Sequence, residues 1–401
     1  MSERRYRVLL VCTHPVQYTA PILRLMAREP RLDIQVAYCS LQGAEPGHDR
    51  DFGVEVKWDV PLLEGYPWVQ VPNKSPRPGV ERYFGLFNPG IWKLVKTGGY
   101  DAIISYAGYT QASFWIALAA ARFYRKPFLF GTDATTLAPS DGRNWKLRIK
   151  RWIWPRLFGL ASVVIVPSTR GVELMRSLGI SADRLALTPY VVDNDWWAQQ
   201  AEQVDRDQVR QAWGVPGGAL VILYSAKLQP WKRPLDLLNA FALAEVAGSH
   251  LVFAGDGSLR AELDARAKSL GLNERVHFLG FTNQSHLPAV YRGADLMVLP
   301  SDYEPFGVVV NEAMLCGCPV IVSDQVGAGG DLISAGQNGY IFPCGNVDKL
   351  AALLREALSD RERLKRMGMA ARQRMKTWSP RESIRAIVQA VERGVQLAGH
   401  S

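Results

Sequence analysis

The sequence predicts the α/β class: two consecutive parallel sheets, each flanked by helices, facing each other across a cleft. Three observations lead there. A chain of 401 residues is too long for one ordinary core, so two domains are expected. Short β-branched runs alternate with helical patterns through the first half. The same alternation then restarts after Asp195.

In the first half, Arg7–Cys12 reads as a buried strand, followed by a helix through Ile22–Ala27. Ile34–Tyr38, Ala102–Ser105, Phe128–Phe130 and Ser162–Val166 read as further strands. A linker is expected near Thr188–Asp195. In the second half the expected strands are Leu220–Tyr224, Leu251–Ala254, Val276–Leu279, Leu296–Leu299 and Val320–Val322. Helices are expected over Leu235–Glu245 and Arg260–Leu270. The resulting division is a first domain over 1–190 and a second over 191–379. Parallel sheets bind ligands outside the carboxyl ends of their strands, so chemistry is sought in the loops that follow them.

Composition narrows the classes. Hydrophobic residues make up 48% and charged residues 21%, as in water-soluble globular chains. No apolar run is long enough for a signal peptide or a membrane span. The five cysteines are odd in number and form neither a disulfide framework nor a zinc spacing, so a reducing cytoplasm is expected. The net charge of +9 is uneven: residues 1–200 hold 25 Lys/Arg against 17 Asp/Glu. An anionic partner is therefore expected to meet mainly the first half.

The most informative stretch is Asp295–Asp324, reading strand, loop, helix, strand. Pro305 is suited to an early helical position. The free N–H groups near Phe306, Gly307 and Val308 make an anion site fit for a diphosphate, and Gly307 permits close backbone approach. Glu304 precedes this helix start and Glu312 lies inside the helix. Carboxylates are poor neighbours for phosphate but accept hydroxyl hydrogen bonds well, so sugar hydroxyls on either side of a diphosphate are their natural partners. Lys227 and Lys232, in the loop after Leu220–Tyr224, are spaced to clamp such a diphosphate and stabilise charge on a leaving group, with Arg233 able to share the role. Gly255-Asp256-Gly257 follows the next strand as a tight turn, a ligand contact being the alternative reading.

Glu304-x7-Glu312, followed by Ala313-Met314 and Gly317-x-Pro319-Val320, resembles the signature of retaining glycosyltransferases of family 4, which have the GT-B fold of two Rossmann-like domains. The resemblance is close over 220–345. It implies that Glu312 holds the ribose hydroxyls of a nucleotide sugar, that Glu304 contacts the transferred sugar, and that the Phe306, Gly307 and Val308 amides meet sugar and phosphates. It further implies that His277–Phe281, with Phe278, lies against the base; ordinary strand packing is the competing reading. The family usually carries Arg where Lys227 stands, so bidentate phosphate binding is lost there while the charge is kept. The C-terminal segment 380–398 resembles the crossover helix that returns to the first domain.

Acceptor-side candidates come from the first half. Thr13–Tyr18 lacks the glycine pair of the family, leaving His14 and Gln17 to line the acceptor side. Tyr109 and Asp133 follow later strands; a helix-cap role competes for Asp133. The segment 143–158 carries six Lys/Arg and three Trp. It suits peripheral membrane contact on the inner face. The spacing of Trp145, Ile149, Trp152 and Ile153 favours instead an inward-packed face with solvated charges outside.

The expected reaction moves a hexose-type sugar from a nucleoside-diphosphate sugar to a hydroxyl of a glycan, a lipid-linked saccharide or a small molecule. Retention of configuration is what the resemblance implies. No metal motif stands out, so activity without a divalent cation is expected, and no nucleic-acid module accompanies the basic segment. The alternatives are a nucleotide-sugar epimerase or hydrolase, or a non-catalytic sugar-nucleotide-binding subunit. A dinucleotide oxidoreductase would want Gly-x-Gly-x-x-Gly after the first strand, where Thr13–Tyr18 has no glycine.

Overall fold

The computed structural model describes residues 4–49, 52–138 and 144–399. Two compact units emerge. The first comprises the chain up to Gly47, Val60–Tyr190 and the stretch from Pro380 on; the second comprises His48–Asp59 and Val191–Ser379.

Among the described residues nine strands precede residue 190: β1 (Tyr6–Cys12), β2 (Leu32–Tyr38), β3 (Gly47–Asp49), β4 (Val54–Val56), β5 (Trp68–Gln70), β6 (Ala102–Ser105), β7 (Phe128–Gly131), β8 (Val163–Val166) and β9 (Leu185–Leu187). Seven form the first sheet in the order β5-β2-β1-β6-β7-β8-β9, with β3 and β4 a separate pair. All neighbours in the seven-stranded sheet are parallel. β6, β7 and β8 are buried along their whole length, which is why their sequences read as continuous apolar runs rather than alternations.

The second unit holds β10 (Leu220–Ser225), β11 (Ser249–Ala254), β12 (Val276–Gly280), β13 (Leu296–Leu299), β14 (Val320–Ser323) and β15 (Gly339–Phe342). They pair in parallel in the order β12-β11-β10-β13-β14-β15. Counted within the unit this is 3-2-1-4-5-6, the doubly wound order. The first sheet follows the same order with one strand added. Each sheet therefore has one point where the winding reverses, β1/β6 in the first and β10/β13 in the second. A crevice opens there at the carboxyl ends.

Each unit has its own core. In the first, Leu9, Val11, Ile103, Phe114, Phe128, Phe130 and Phe158 pack together; in the second, Ile222, Tyr224, Leu238, Phe253, Leu296 and Ile321 do. The C-terminal helix Pro380–Gly399 buries Ile384, Ile387, Val388 and Val391 in the first unit.

The structure departs from the sequence expectations at several points, among them the short paired strands β3 and β4. β5, β9 and β15 are strands of three or four residues that no long apolar run announces. Pro305 lies outside its helix, which spans Val308–Leu315 with Gly307 as cap. The face of helix Asn144–Phe158 expected to pack inward does not: Trp145, Ile149, Trp152 and Ile153 are exposed, while Trp154, Leu157 and Phe158 enter the core. Arg143, the first cation of that segment, lies outside the described residues.

Candidate functional site

The residues expected on the donor side gather at the winding reversal of the second sheet. β10 runs into Lys227 and Lys232, and the adjacent β13 runs into Glu304 and the helix Val308–Leu315. Lys232 and Glu304 form an ion pair, both side chains largely shielded from solvent. The chain beyond Glu304 is tied to the next loop: the Gly327 N–H donates to the Glu304 carbonyl at 3.0 Å and the Ala328 N–H to the Phe306 carbonyl at 2.8 Å.

Gly307 adopts φ +96°, a left-handed conformation that β-substituted residues avoid. A Cβ there would also stand 3.1 Å from both Glu304 Cγ and Val326 Cγ1. This turn sets the Glu304 side chain beside the start of the helix, whose first N–H groups have no helical acceptors. The Phe306 ring is buried and lies parallel to Trp378 at 6.1 Å. Its contribution to a ligand is therefore confined to the backbone.

Glu312 is 4% exposed. The Tyr291 hydroxyl donates to its Oε2 at 2.7 Å, and the same hydroxyl lies 3.1 Å from Ser225 Oγ at the end of β10. Burial pushes the Glu312 carboxyl up to about 7, although the Tyr291 and Gln284 hydrogen bonds pull the other way. A carboxyl poised there, supported by an inner hydroxyl, is suited to accept from ligand hydroxyls.

The cationic loop carries an unexpected partner. Lys227 Nζ lies 3.1 and 3.2 Å from the two carboxylate oxygens of Asp49 and 4.8 Å above the Phe52 ring. Phe52 in turn meets Phe281 edge-on at 5.0 Å, and Asn283 donates to the Lys57 carbonyl. Asp49 and Phe52 precede Lys227 by well over a hundred residues, and no spacing or motif ties them to it. Arg233 has a left-handed backbone (φ +51°) and spends its Nε on Asp236 at 2.7 Å. It is thus a helix-start residue as well as a cation of this loop.

Gly255 is held by packing. Its Cβ would fall 2.1 Å from the Ala226 carbonyl oxygen, so the glycine turn after β11 lies directly under the loop that carries Lys227. Phe278 stacks on Phe253 at 5.1 Å under the Arg260 guanidinium, and His277 Nε2 lies 2.9 Å from His250 Nδ1. Strand packing thus accounts for the inner faces of both side chains.

The first-unit candidates occupy the carboxyl edge of three neighbouring strands. His14 and Gln17 follow β1, Tyr109 follows β6, and Asp133 follows β7. His14 Nδ1 lies 3.0 Å from Thr13 Oγ1, and burial lowers the imidazole pKa, favouring the neutral ring. The Tyr109 hydroxyl accepts from Trp154 Nε1 at 3.2 Å. Asp133 is exposed and caps no helix, since the described residues that follow it, 134–138, are not helical.

A cavity of about 420 Å³ lies at the other ends of the second-sheet strands, near Leu220, Asp295 and Pro319. Its Arg206 and Arg210 are committed to Asp295. Strand polarity favours the carboxyl edge over this cavity as the reactive one. Among the described residues no three His, Cys, Asp or Glu side chains cluster as metal ligands. Among the described residues no helix is long and apolar enough to cross a membrane.

Both units have relatives among known proteins. Residues 205–374 match the family model of glycosyl transferases group 1, and residues 3–191 match that of the glycosyl transferase 4-like domain. An uncharacterized glycosyltransferase of Methanocaldococcus jannaschii is 38% identical over 153 residues, which are 38% of this chain and 39% of that one. The N-acetyl-alpha-D-glucosaminyl L-malate synthase of Bacillus anthracis is 31% identical over 170 residues, 42% of this chain and 44% of its own. The chain thus matches less than half the length of either relative. In fold, it is similar to the Anabaena protein HepE in complex with UDP and glucose, with a TM-score of 0.72 at 22% identity over 97% of this chain and 100% of that one. With both halves matched and two doubly wound sheets in place, the chain belongs to the group 1 glycosyl transferases, on the two-domain GT-B architecture.

Proposed function

We propose that the protein transfers a sugar from a nucleoside-diphosphate sugar to an acceptor hydroxyl with retention of configuration. The observation that carries this reading is the arrangement around the β10/β13 crevice. Lys227 and Lys232 follow β10, and a helix start suited to a diphosphate follows β13, with the shielded Glu304 before it and the buried Glu312 within it. In this reading Glu312 accepts from the ribose hydroxyls and Glu304 from the transferred sugar. The Gly307 and Val308 amides and Lys227 and Lys232 hold the diphosphate. That the Anabaena neighbour is a complex with UDP and glucose supports this class of donor.

In the proposed step the bond between the anomeric carbon and the diphosphate oxygen breaks. A bond from the acceptor oxygen forms on the same face, and the acceptor proton passes to a leaving phosphate oxygen. The two lysines stabilise the charge that builds on the diphosphate. No general base is needed, and we expect turnover without a divalent cation; loss of activity in EDTA with recovery in Mg²⁺ would disprove that. The acceptor, a glycan, lipid-linked saccharide or small molecule, is assigned to the edge bearing His14, Gln17, Tyr109 and Asp133. All five cysteines are free thiols, which supports a cytoplasmic setting.

A thermal-shift panel of nucleotide sugars tests the donor assignment. One nucleoside class should raise the melting temperature of the wild type and fail to do so with Glu312→Ala. An equal shift in that variant would remove Glu312 from the site. Incubating the stabilising donor alone then separates transfer from its rivals, because an isomerised sugar nucleotide would indicate an epimerase and stoichiometric free sugar a hydrolase.

A further inference from the structure

The helix Asn144–Phe158 contains no acidic residue. Trp145 and Trp152 are 56% and 63% exposed, and Ile149 and Ile153 are exposed beside them. Residues 145, 149, 152 and 156 fall on one stripe at helical spacing. Arg148 and Arg151 are exposed alongside, and the Arg156 guanidinium lies 4.5 Å over the Trp152 ring.

The opposite, buried face of this helix is bonded to a second exposed aromatic group. Trp154 Nε1 donates to the Tyr109 hydroxyl, and Trp115 Nε1 donates to the Tyr109 carbonyl at 2.8 Å. Two residues on, Gln111 Nε2 donates to the Val80 and Arg82 carbonyls at 2.8 and 3.1 Å. Those bonds fix a loop whose tip presents Tyr83 and Phe84, 70% and 54% exposed. Phe84 is held at φ +53°, a left-handed conformation unfavourable for an aromatic residue, and its N–H donates to the Thr110 carbonyl. The short segment Tyr109–Gln111, at the carboxyl edge of the first sheet, thus ties together the loop tip, Trp115 and the basic helix.

We propose that the exposed helix stripe, together with this aromatic group, docks the first unit on an anionic lipid bilayer. The indoles, Tyr83 and Phe84 enter the headgroup boundary, and Arg148, Arg151 and Arg156 meet lipid phosphates. Indoles with a wet edge and an apolar body are matched to that boundary, and cations interleaved with them complement its charge. A second copy of this chain is a poor fit, because apposed helices would set the same cations against one another. The surface borders the loops assigned above to the acceptor, so docking would present a lipid-borne hydroxyl there. That last step rests on the transferase reading; the docking itself does not.

Flotation of the full chain with vesicles tests it. Binding is expected with phosphatidylcholine containing roughly a third phosphatidylglycerol, weakened by salt, and little with phosphatidylcholine alone. Trp145→Ser with Trp152→Ser should lower binding about tenfold, and so should Tyr83→Ser with Phe84→Ser. Arg148→Ala with Arg151→Ala should remove the preference for anionic vesicles. Because these side chains are exposed, melting temperatures and the shift given by the donor should match wild type in every variant. The proposal is overturned by absence of flotation with anionic vesicles, by flotation unchanged in the Trp variant, or by that variant turning a dimer into a monomer. Vesicle binding without any nucleotide-sugar binding would sink the transferase reading and leave the surface standing.

Discussion

Glu312 is a carboxyl that folding makes expensive to ionise, and its chemistry follows from that. Its value in the folded chain, about 7, lies above the ordinary 4.5, chiefly because of burial. The stability it contributes is full below pH 4.5 and is lost as pH rises through 7, because the unfolded chain releases the proton first. Glu312→Gln, which cannot ionise, should therefore gain on the order of 3 kcal/mol over wild type above pH 7 and nothing below pH 4.5. Denaturant melts at the two ends of that range measure the gap, and a gap independent of pH would refute the assignment. Donor affinity should move the opposite way. In the proposed role ribose hydroxyls would donate to the ionised form, so wild-type binding should tighten as pH rises through 7 while the Gln variant stays weak. Lys227 poses a second residue-scale problem, since Asp49 occupies the cation that a diphosphate would need. A partly shielded pair of this kind is worth about 1 kcal/mol. Asp49→Asn should then lower the donor KM roughly fivefold, and Lys227→Ala should raise it. If Asp49→Asn weakened the donor instead, Asp49 would be a support for the lysine rather than a competitor.

At the level of elements, the loops assigned to the donor depend on glycines beneath them. Gly255 faces the Ala226 carbonyl at a distance where no Cβ fits, and the obstacle is backbone, which cannot swing aside. Gly255→Ala should therefore displace the Lys227 loop and weaken donor binding about tenfold or more, in excess of any loss in melting temperature. Unchanged binding would show that the loop has freedom to spare. The same elements show what the sequence could and could not convey. Long apolar runs such as Leu220–Ser225 announce buried parallel strands, and Glu304, Gly307 and Glu312 announce the helix start. The edge strands β5, β9 and β15 are too short to carry a pattern. In Asn144–Phe158 two apolar stripes compete, and periodicity alone does not say which one the core accepts. The structure buries Trp154, Leu157 and Phe158 and leaves Trp145 and Trp152 outside. Asp49 was illegible for another reason: only the docking of His48–Asp59 in the second unit brings it to Lys227.

Over the whole molecule, the chain crosses its own domain boundary more than once, and the last crossing carries a large share of the first unit's stability. The helix Pro380–Gly399 packs against that unit through Ile384, Ile387, Val388, Ala390 and Val391. Gly394 comes so close to the sheet that a Cβ there would stand 3.2 Å from Leu129. Burying an Ile or Val side chain is worth about 1.5–3 kcal/mol. The four branched side chains alone thus contribute on the order of 8 kcal/mol before the entropy of ordering the helix is subtracted. That is comparable to the net stability of an entire domain, about 5–15 kcal/mol. Truncation after Ser379 should therefore unfold the first unit selectively. The second unit has its own core around Ile222, Phe253 and Leu296 and loses none of those contacts. Calorimetry of the truncated chain should show the transition of the second unit kept and that of the first lost or lowered by well over 10 °C. Limited proteolysis should cut first within 60–190. The nucleotide-sugar thermal shift should survive, because Lys227, Lys232, Glu304 and Glu312 all lie in the unit that remains folded. Loss of both transitions together would mean that the two cores fold as one cooperative body, and the division at Tyr190 would then describe packing but not stability.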